Sequence, residues 1–308
     1  MKGKTPRVVF MGTPAYAVPA LEVLVRRGCA VWVVTRPDRP FGRHRRLAPS
    51  PVRARAEELG LPVLTPRRLG PKTRERLAAA APALLITAAY GLILPSSILA
   101  LASAGAYNLH ASLLPRWRGA NPIAWAIRAG DRQTGVSLMA MAAGVDTGPI
   151  AAQTSVVIAE DDTTGTLTAK LSRVAADLLD ARLEALLTGA VALRPQTGEP
   201  TYAPKFAAGA ERVDWTQPAD VVSRQVRSML PEPGPYTTVD GERVRLLEVR
   251  ARREGSGEPG VIVQEEDLWL IACGTGSLEV RLIQPAGRRP MTPGAYARGR
   301  RTEIGRAW

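Results

Sequence analysis

The sequence predicts an α/β protein that combines a mostly parallel sheet with a small carboxyl-terminal β-barrel. In the first two-thirds of the 308 residues, apolar runs alternate with segments of helical periodicity. After Gly189 the runs become short and are separated by glycines, which is typical of antiparallel strands. Because 45% of the residues are hydrophobic, each part can bury a core of its own.

Strands and helices alternate in the amino-terminal part. A strand–helix–strand unit places its two strands side by side and parallel, so this order predicts a parallel sheet covered on both faces. The predicted strands are RVVFMG, AVWVVT, ALLITAAY, GAYNLHAS and GVSLMAMA. The predicted helices are Ala15–Arg27, Ser50–Leu59, Pro95–Leu101, Pro122–Ala129 and Thr164–Leu187.

A stretch rich in proline and glycine divides the chain. RPQTGEPTYAPKF, within residues 190–206, has the composition of a linker. We therefore expect residues 1–189 and 207–308 to form separate domains. The second contains the β-like runs RVRLLEVRAR, PGVIVQEE, LWLIACG and SLEVRLIQP, and one helix, VVSRQVRSML. Their spacing favours a small antiparallel barrel or sandwich.

Positive charge is concentrated in the amino-terminal part. The chain carries a net charge of +13, of which residues 1–208 contribute +12. Between Arg36 and Arg76, twelve basic residues stand against four acidic ones. Such focused charge favours a phosphate-rich partner, although a solvated arginine-rich surface is the alternative.

The remaining composition favours a cytoplasmic protein without a membrane partner. No segment resembles a targeting signal, and no apolar run approaches the roughly 18 residues of a membrane span. Cys29 and Cys273 lie far apart in apolar stretches, which predicts buried, reduced thiols.

Three loops follow predicted strands, at the edge where parallel sheets bind ligands. FMGTPAY lacks the GxGxxG pattern of dinucleotide sites, so a tight turn is an equal alternative. AAYGLILP could line a flat pocket for an aromatic ligand, and a strand end that enters a helix is an equal alternative. The segment Arg36–Pro51 contains five arginines and His44, and its prolines and glycine argue against a regular element. It could clamp a nucleic-acid backbone, or it could be a solvated loop.

Asn108 and His110 form the most specific pair in the chain. They are two positions apart, so in a strand both side chains point to the same side. An amide donor can stabilise an oxyanion and an imidazole can manage a proton, which together suit acyl transfer. Asp146, in the loop GVDTGPI, could orient the histidine. Taken singly, a hydrogen-bonded histidine and an Asx turn are the structural alternatives. No spacing typical of metal ligands occurs, and we predict no metal.

These residues occur in motifs that resemble a known family. NLHASLLPRWRGANPI, with AAYGLILP before it and GVDTG after it, resembles the signature of 10-formyltetrahydrofolate-dependent formyltransferases. FMGTP and RPDRPFGRHRRLAPSPV are similar to the members that act on methionyl-tRNA, and so are ERVDW and IQPAGRRPM in the tail. The order of the motifs is preserved along nearly the whole chain. Asn121, where we expect a small residue, departs from the pattern without touching the catalytic positions.

The resemblance implies a Rossmann-like catalytic domain and an OB-like barrel that binds tRNA. It also implies formyl transfer from 10-formyltetrahydrofolate to methionyl-initiator-tRNA, for translation initiation, by a cytoplasmic monomer that releases tetrahydrofolate. The implied catalytic residues are Asn108, His110 and Asp146. The implied folate contacts are Ser112, Leu113, Leu114, Pro115, Ala89, Tyr90, Gly91, Leu92 and Ile93. The expected tRNA contacts are Arg36, Arg39, Arg43, Arg45 and Arg46.

Three other functions stay open at this point. The same trio would serve formyl transfer to a nucleotide sugar or a small amine, although the arginine-rich insertion and the barrel argue against a small substrate. A formyltetrahydrofolate hydrolase module would normally be joined to a dehydrogenase domain. A non-catalytic RNA-binding protein would not need Asn108, His110 and Asp146.

Overall fold

The computed structural model describes residues 5–41, 46–255, 257–298 and 305–308. They form two compact units. The first comprises the described residues up to Pro122, together with Gln133–Val156 and Thr168–Ala203. The second comprises Ile123–Arg132, Val157–Leu167 and the described residues from Pro204 to Trp308.

The first unit is built on a seven-stranded, mostly parallel sheet, as the sequence predicts. The strands up to residue 203 are β1 (Arg7–Gly12), β2 (Ala30–Val34), β3 (Arg39–Phe41), β4 (Arg46–Ala48), β5 (Val63–Leu64), β6 (Leu84–Ala88), β7 (Ala106–His110), β8 (Arg118–Gly119), β9 (Gln133–Ala140), β10 (Ile150–Val157) and β11 (Tyr202–Ala203). The order in the sheet is β10-β9-β7-β6-β1-β2-β5. Strands β5, β2, β1, β6 and β7 pair in parallel, whereas β9 pairs antiparallel with β7.

Apolar runs form the central strands because both faces of this sheet are covered. All five residues of β6 are buried, and so are five of the six in β1. The helices up to residue 188 are α1 (Val18–Arg26), α2 (Pro51–Glu58), α3 (Pro71–Ala79), α4 (Ser96–Leu99), α5 (Pro122–Ala129) and α6 (Thr164–Thr188). Helix α1 buries Ala20, Leu21, Val23 and Leu24 at helical spacing. At the start of α2, Ser50 Oγ accepts a hydrogen bond from Arg53 N, 3.0 Å away.

The arginine-rich segment after β2 is more regular than the sequence predicts. Strands β3 and β4 pair antiparallel as a hairpin, with Pro40 opposite Leu47, so the expectation that this segment forms no regular element is wrong. The base of the hairpin is tied down by two side-chain contacts. Thr35 Oγ1 and Ser50 Oγ are 2.7 Å apart, and Arg53 Nη1 donates to Asp38 Oδ1 at 2.8 Å.

The second unit contains a five-stranded antiparallel sheet. Its elements are α7 (Ala219–Ser228), β12 (Tyr236–Val239), β13 (Glu242–Arg252), β14 (Ile262–Glu265), β15 (Leu268–Ala272), β16 (Ser277–Pro285) and α8 (Pro293–Arg298). The sheet order is β12-β13-β16-β15-β14. Trp269, Ile271 and Val280 are fully buried at its centre, and Val222 and Val226 of α7 belong to the same core.

The last residues of the chain bond to both edges of this sheet. Ala307 bridges Val239 on β12, and Arg306 bridges Val261, the residue before β14. Trp308 N and O both bond to the backbone of Thr238. The carboxyl terminus therefore satisfies backbone groups that the two edge strands would otherwise leave unpaired.

The described residues include neither a helix suited to span a membrane nor a cluster of metal-binding side chains. None of the helices formed by residues 5–41, 46–255, 257–298 and 305–308 is long and apolar enough to cross a membrane. Within the same residues, no group of three or more His, Cys, Asp or Glu side chains is placed to hold a metal ion.

Candidate active site

Asn108 and His110 lie at the carboxyl end of β7, near the middle of the sheet. Asn108 is half-buried, and the His110 side chain is only 6% exposed. Because they are two residues apart in a strand, both side chains extend on the same side of the sheet. The strand thus brings an amide and an imidazole to one place.

Thr87, at the end of the neighbouring strand β6, orients the amide of Asn108. The Thr87 hydroxyl donates to Asn108 Oδ1 at 2.7 Å, and Thr87 itself is 3% exposed. With Oδ1 engaged, the two N–H groups on Nδ2 of Asn108 can donate to a ligand oxygen. The sequence gives no sign of this role, because Thr87 lies within an ordinary apolar strand.

His110 bonds at one ring nitrogen and faces a carboxylate with the other. Its Nε2 lies 2.9 Å from the carbonyl oxygen of Trp117, and because a carbonyl only accepts, Nε2 carries the proton in this contact. Its Nδ1 lies 3.5 Å from Asp146 Oδ2. A proton taken up at Nδ1 would therefore sit between the imidazole and the carboxylate.

Asp146 reaches the histidine from the loop between β9 and β10. Its backbone is left-handed, with φ of 53°, and its Oδ2 accepts a hydrogen bond from Gly119 N at 2.9 Å. The glycine that follows is required by space, since a Cβ on Gly148 would lie 1.8 Å from the Ala140 carbonyl oxygen. The GVDTG spacing thus allows the tight loop that presents this carboxylate.

The segment Ser112–Pro115 follows β7 directly and is held by side chains that the sequence did not single out. Ser137 Oγ donates to the Ser112 carbonyl oxygen at 2.6 Å and accepts from Leu114 N at 3.0 Å. Gln153 Nε2 donates to the Leu114 carbonyl oxygen at 2.9 Å. Ser137 lies on β9 opposite His110, and only the register of the folded sheet shows this placement.

Residues 89–93 form a partly exposed wall after β6. Ala89 and Gly91 have positive φ angles of 47° and 84°, and Ile93 is 79% exposed. Tyr90 instead turns inward at 3% exposure, and its carbonyl oxygen accepts from Thr13 Oγ1 at 3.0 Å. Burial raises the pKa of Tyr90 to about 12, while nearby Arg36 lowers it. This wall therefore offers apolar and backbone surface, and the phenol stays neutral.

Of the five expected tRNA-contacting arginines, Arg36, Arg39 and Arg46 belong to the described residues. Arg36 lies near Tyr90, and its Nη1 finds no hydrogen-bond partner within the described part of the chain. Arg39 is on β3, and Arg46 is on β4. Arg43 and Arg45 lie outside the described residues.

Comparison with known proteins identifies the family. Residues 7–183 match the model for "Formyl transferase", and residues 205–301 match "Formyl transferase, C-terminal domain". The chain belongs to the formyl transferase family. This formyl transferase is 45% identical to a methionyl-tRNA formyltransferase of Cereibacter sphaeroides strain ATCC 17025, over 95% of this chain and 96% of the relative. It is also 45% identical to the methionyl-tRNA formyltransferase of Halorhodospira halophila, over 96% of each chain.

Solved structures share the fold of this formyl transferase at low sequence identity. HypX from Aquifex aeolicus in complex with tetrahydrofolic acid matches 98% of this chain and 51% of its own, with a TM-score of 0.66 and 18% identity. WlaRD, a sugar 3N-formyl transferase, matches 93% of this chain and 100% of its own, with a TM-score of 0.69 and 16% identity. At such identities the likeness concerns the fold alone.

Proposed function

We propose that this formyl transferase moves the formyl group of 10-formyltetrahydrofolate to the α-amino group of methionyl-initiator-tRNA, and so supplies formylmethionyl-tRNA for translation initiation. One observation carries the reaction: Asn108, His110 and Asp146 converge with an amide N–H donor and an imidazole–carboxylate pair side by side. The near full-length likeness to relatives named methionyl-tRNA formyltransferase supports the choice of acceptor.

The folate fits the two backbone segments beside the trio. Ser112–Pro115 is fixed by Ser137 and Gln153, and residues 89–93 expose Ile93 and two positions with positive φ. A flat pterin could lie against this apolar wall, with its polar edge on backbone groups. The 10-formyltetrahydrofolate supplies an electrophilic formyl carbon and a nitrogen leaving group.

The trio performs direct transfer. The neutral methionyl amine forms a bond to the formyl carbon, and negative charge develops on the formyl oxygen. Asn108 Nδ2 donates to that oxygen. The amine loses one proton, which His110 holds at Nδ1 against Asp146 Oδ2, 3.5 Å away. As the bond from the formyl carbon to N10 breaks, one proton returns to N10, so the charge balances and tetrahydrofolate leaves.

The proposed function also assigns roles to the two domains and to the arginines in tRNA binding. Residues 1–189 would form the catalytic domain. Residues 207–308 would form an OB-like barrel that binds tRNA. Arg36, Arg39, Arg43, Arg45 and Arg46 would contact the acceptor end. The enzyme would act as a cytoplasmic monomer. Cys29 and Cys273 are free thiols, but only Cys273 is buried as the sequence predicts, and Cys29 is half-buried.

Formylation assays with alternative acceptors test this proposal. The chain should formylate charged initiator tRNA in the presence of 10-formyltetrahydrofolate, with little release of free formate. An amino sugar linked to a nucleoside diphosphate should be a poor acceptor. Faster transfer to the sugar than to the tRNA would assign the protein to the small-substrate branch. Formate release without transfer would assign it to hydrolysis.

A further inference from the structure

One side chain from residues 190–203 reaches the catalytic loop. These residues have the composition of a linker, yet they belong to the first compact unit. From Ala192 to Glu199 every residue is exposed except Gln196, which is half-buried. A single inward-facing residue in an exposed stretch indicates a specific contact.

The amide of Gln196 is fully engaged. Its Nε2 donates to the carbonyl oxygens of Asp146 and Gly148, each 2.8 Å away. Its Oε1 accepts from Nε and Nη2 of Arg118, at 3.1 and 2.6 Å. Both N–H groups and the oxygen are therefore used, which is the full capacity of a glutamine.

These bonds help to fix both the backbone and the carboxylate of Asp146. On one side, Gln196 holds the carbonyl of Asp146, whose backbone has the unfavourable φ of 53°. On the other side, it holds Arg118, the neighbour of Gly119, and Gly119 N donates to Asp146 Oδ2 at 2.9 Å. The position of the carboxylate beside His110 thus depends on one amide from a distant part of the chain.

We infer that Gln196 is a positioning residue for formyl transfer, acting through the Asp146 loop. This inference rests on the proposed function. Without the two carbonyl contacts, the loop can relax from its strained conformation, and the carboxylate moves away from His110. A displacement of about 1 Å can cost about 10²-fold in rate. Substrate binding should be unaffected, because Gln196 contacts neither Ser112–Pro115 nor residues 89–93 within the described part of the chain.

The test compares Gln196→Ala with Glu199→Ala, an exposed neighbour in the same segment. Gln196→Ala should lower kcat by about 10- to 100-fold and leave KM for the folate and the tRNA within about twofold. Glu199→Ala should match the wild type. Gln196→Glu keeps an acceptor for Arg118 but has no N–H for the two carbonyls, so it should be no better than Gln196→Ala.

A double-mutant cycle separates positioning from general stability. In an Asp146→Ala background, Gln196→Ala should cause no further loss of kcat, because the residue acts only through Asp146. An additive loss, or a normal kcat in Gln196→Ala, would overturn the inference.

Hydrogen exchange provides a readout that does not depend on activity. The backbone amides of residues 144–148 should exchange faster in Gln196→Ala than in the wild type or in Glu199→Ala. Unchanged exchange in this loop would also overturn the inference. Failure of the wild type to formylate charged tRNA would defeat the proposed function, and the exchange result would still decide the role of Gln196.

Discussion

At the residue scale, the proposed chemistry depends on two side chains of one strand. Asn108→Ala removes an oxyanion donor, and His110→Ala removes the group that holds the proton, so each should lower kcat by about 10²–10³-fold. Single-turnover formylation measures this loss, and circular dichroism checks that the variants fold. A matched control is Thr134→Val, which alters another buried residue of the same sheet. Near-normal turnover in either Asn108→Ala or His110→Ala would end the assignment.

The sequence predicts the two members of the pair but not the residues that orient them. Asn108 and His110 stand two positions apart in a strand, and that spacing fixes their common side. Thr87 is 21 residues from Asn108, and Gln196 is 50 residues from Asp146. Contacts between residues so far apart in the sequence depend on the order of the strands in the sheet, and hydrophobic periodicity does not predict that order. The orienting residues are therefore visible only in the folded chain.

At the element scale, a buried carboxylate joins two central strands of the second unit. Glu279 on β16 is 1% exposed, and it accepts from Arg252 of β13 at 2.6 Å and from Arg281 of its own strand. Burial alone would raise its pKa, but the hydrogen bonds from Arg281 and Arg252 outweigh burial and leave the pKa below its ordinary value. The charged form of Glu279 therefore stabilises the folded state.

Glu279→Gln should lower the free energy of unfolding at pH 7 by about 1–3 kcal/mol, because the charge is lost while a weaker acceptor stays. A lowered folded pKa gives stability that is present above the unfolded pKa and is lost as pH falls through the folded value. The difference in unfolding free energy between wild type and variant should therefore shrink as pH falls below the ordinary pKa of a glutamate and through the lower folded pKa of Glu279. Urea unfolding at several pH values measures this difference in unfolding free energy, with the exposed Glu265→Gln as control. A gap that is constant with pH would contradict this assignment.

The elements that the sequence misses are short or weakly patterned. Strand β5 has two residues, and β3 and β4 have three each, so these strands are too short for an alternating apolar and polar pattern to be recognised. Strand β10 has only one buried residue in eight, which explains why no apolar run marks it. Helix α3 buries Leu77 alone. Long apolar strands were predictable because burial on both faces leaves a continuous signal.

At the scale of the whole molecule, the two compact units alternate along part of the chain. The second unit takes residues 123–132 and 157–167 from within the amino-terminal part, and residues 190–203 belong to the first unit. Composition marked a boundary near Gly189 because proline and glycine are concentrated there. It could not show that Gln196, inside that stretch, bonds to the catalytic loop.

The net charge of +13 gives a prediction about the whole enzyme and its tRNA. In the sequence, Arg43, Arg45 and Arg46 come after β2, which ends at the ligand-binding edge of the parallel sheet. If they contact RNA phosphates, binding releases counterions and weakens as salt rises. Replacing all three by alanine should slow formylation of charged tRNA. It should also reduce the slope of log affinity against log salt by about 2, at about 0.7 for each lost phosphate contact.

A second triple variant isolates position from charge. Arg67, Arg68 and Arg74 are exposed arginines of the first unit, so replacing them by alanine removes the same charge elsewhere. Formylation rates and tRNA affinities over a range of KCl concentrations, with folate binding titrated in the absence of tRNA, compare the two triples. Replacing Arg43, Arg45 and Arg46 should change the salt slope and leave folate binding intact, because the expected folate contacts are Ser112–Pro115 and residues 89–93. Equal slopes in both triples would mean that only net charge matters. Lost folate binding with an unchanged slope would instead assign the arginines to the formyl donor.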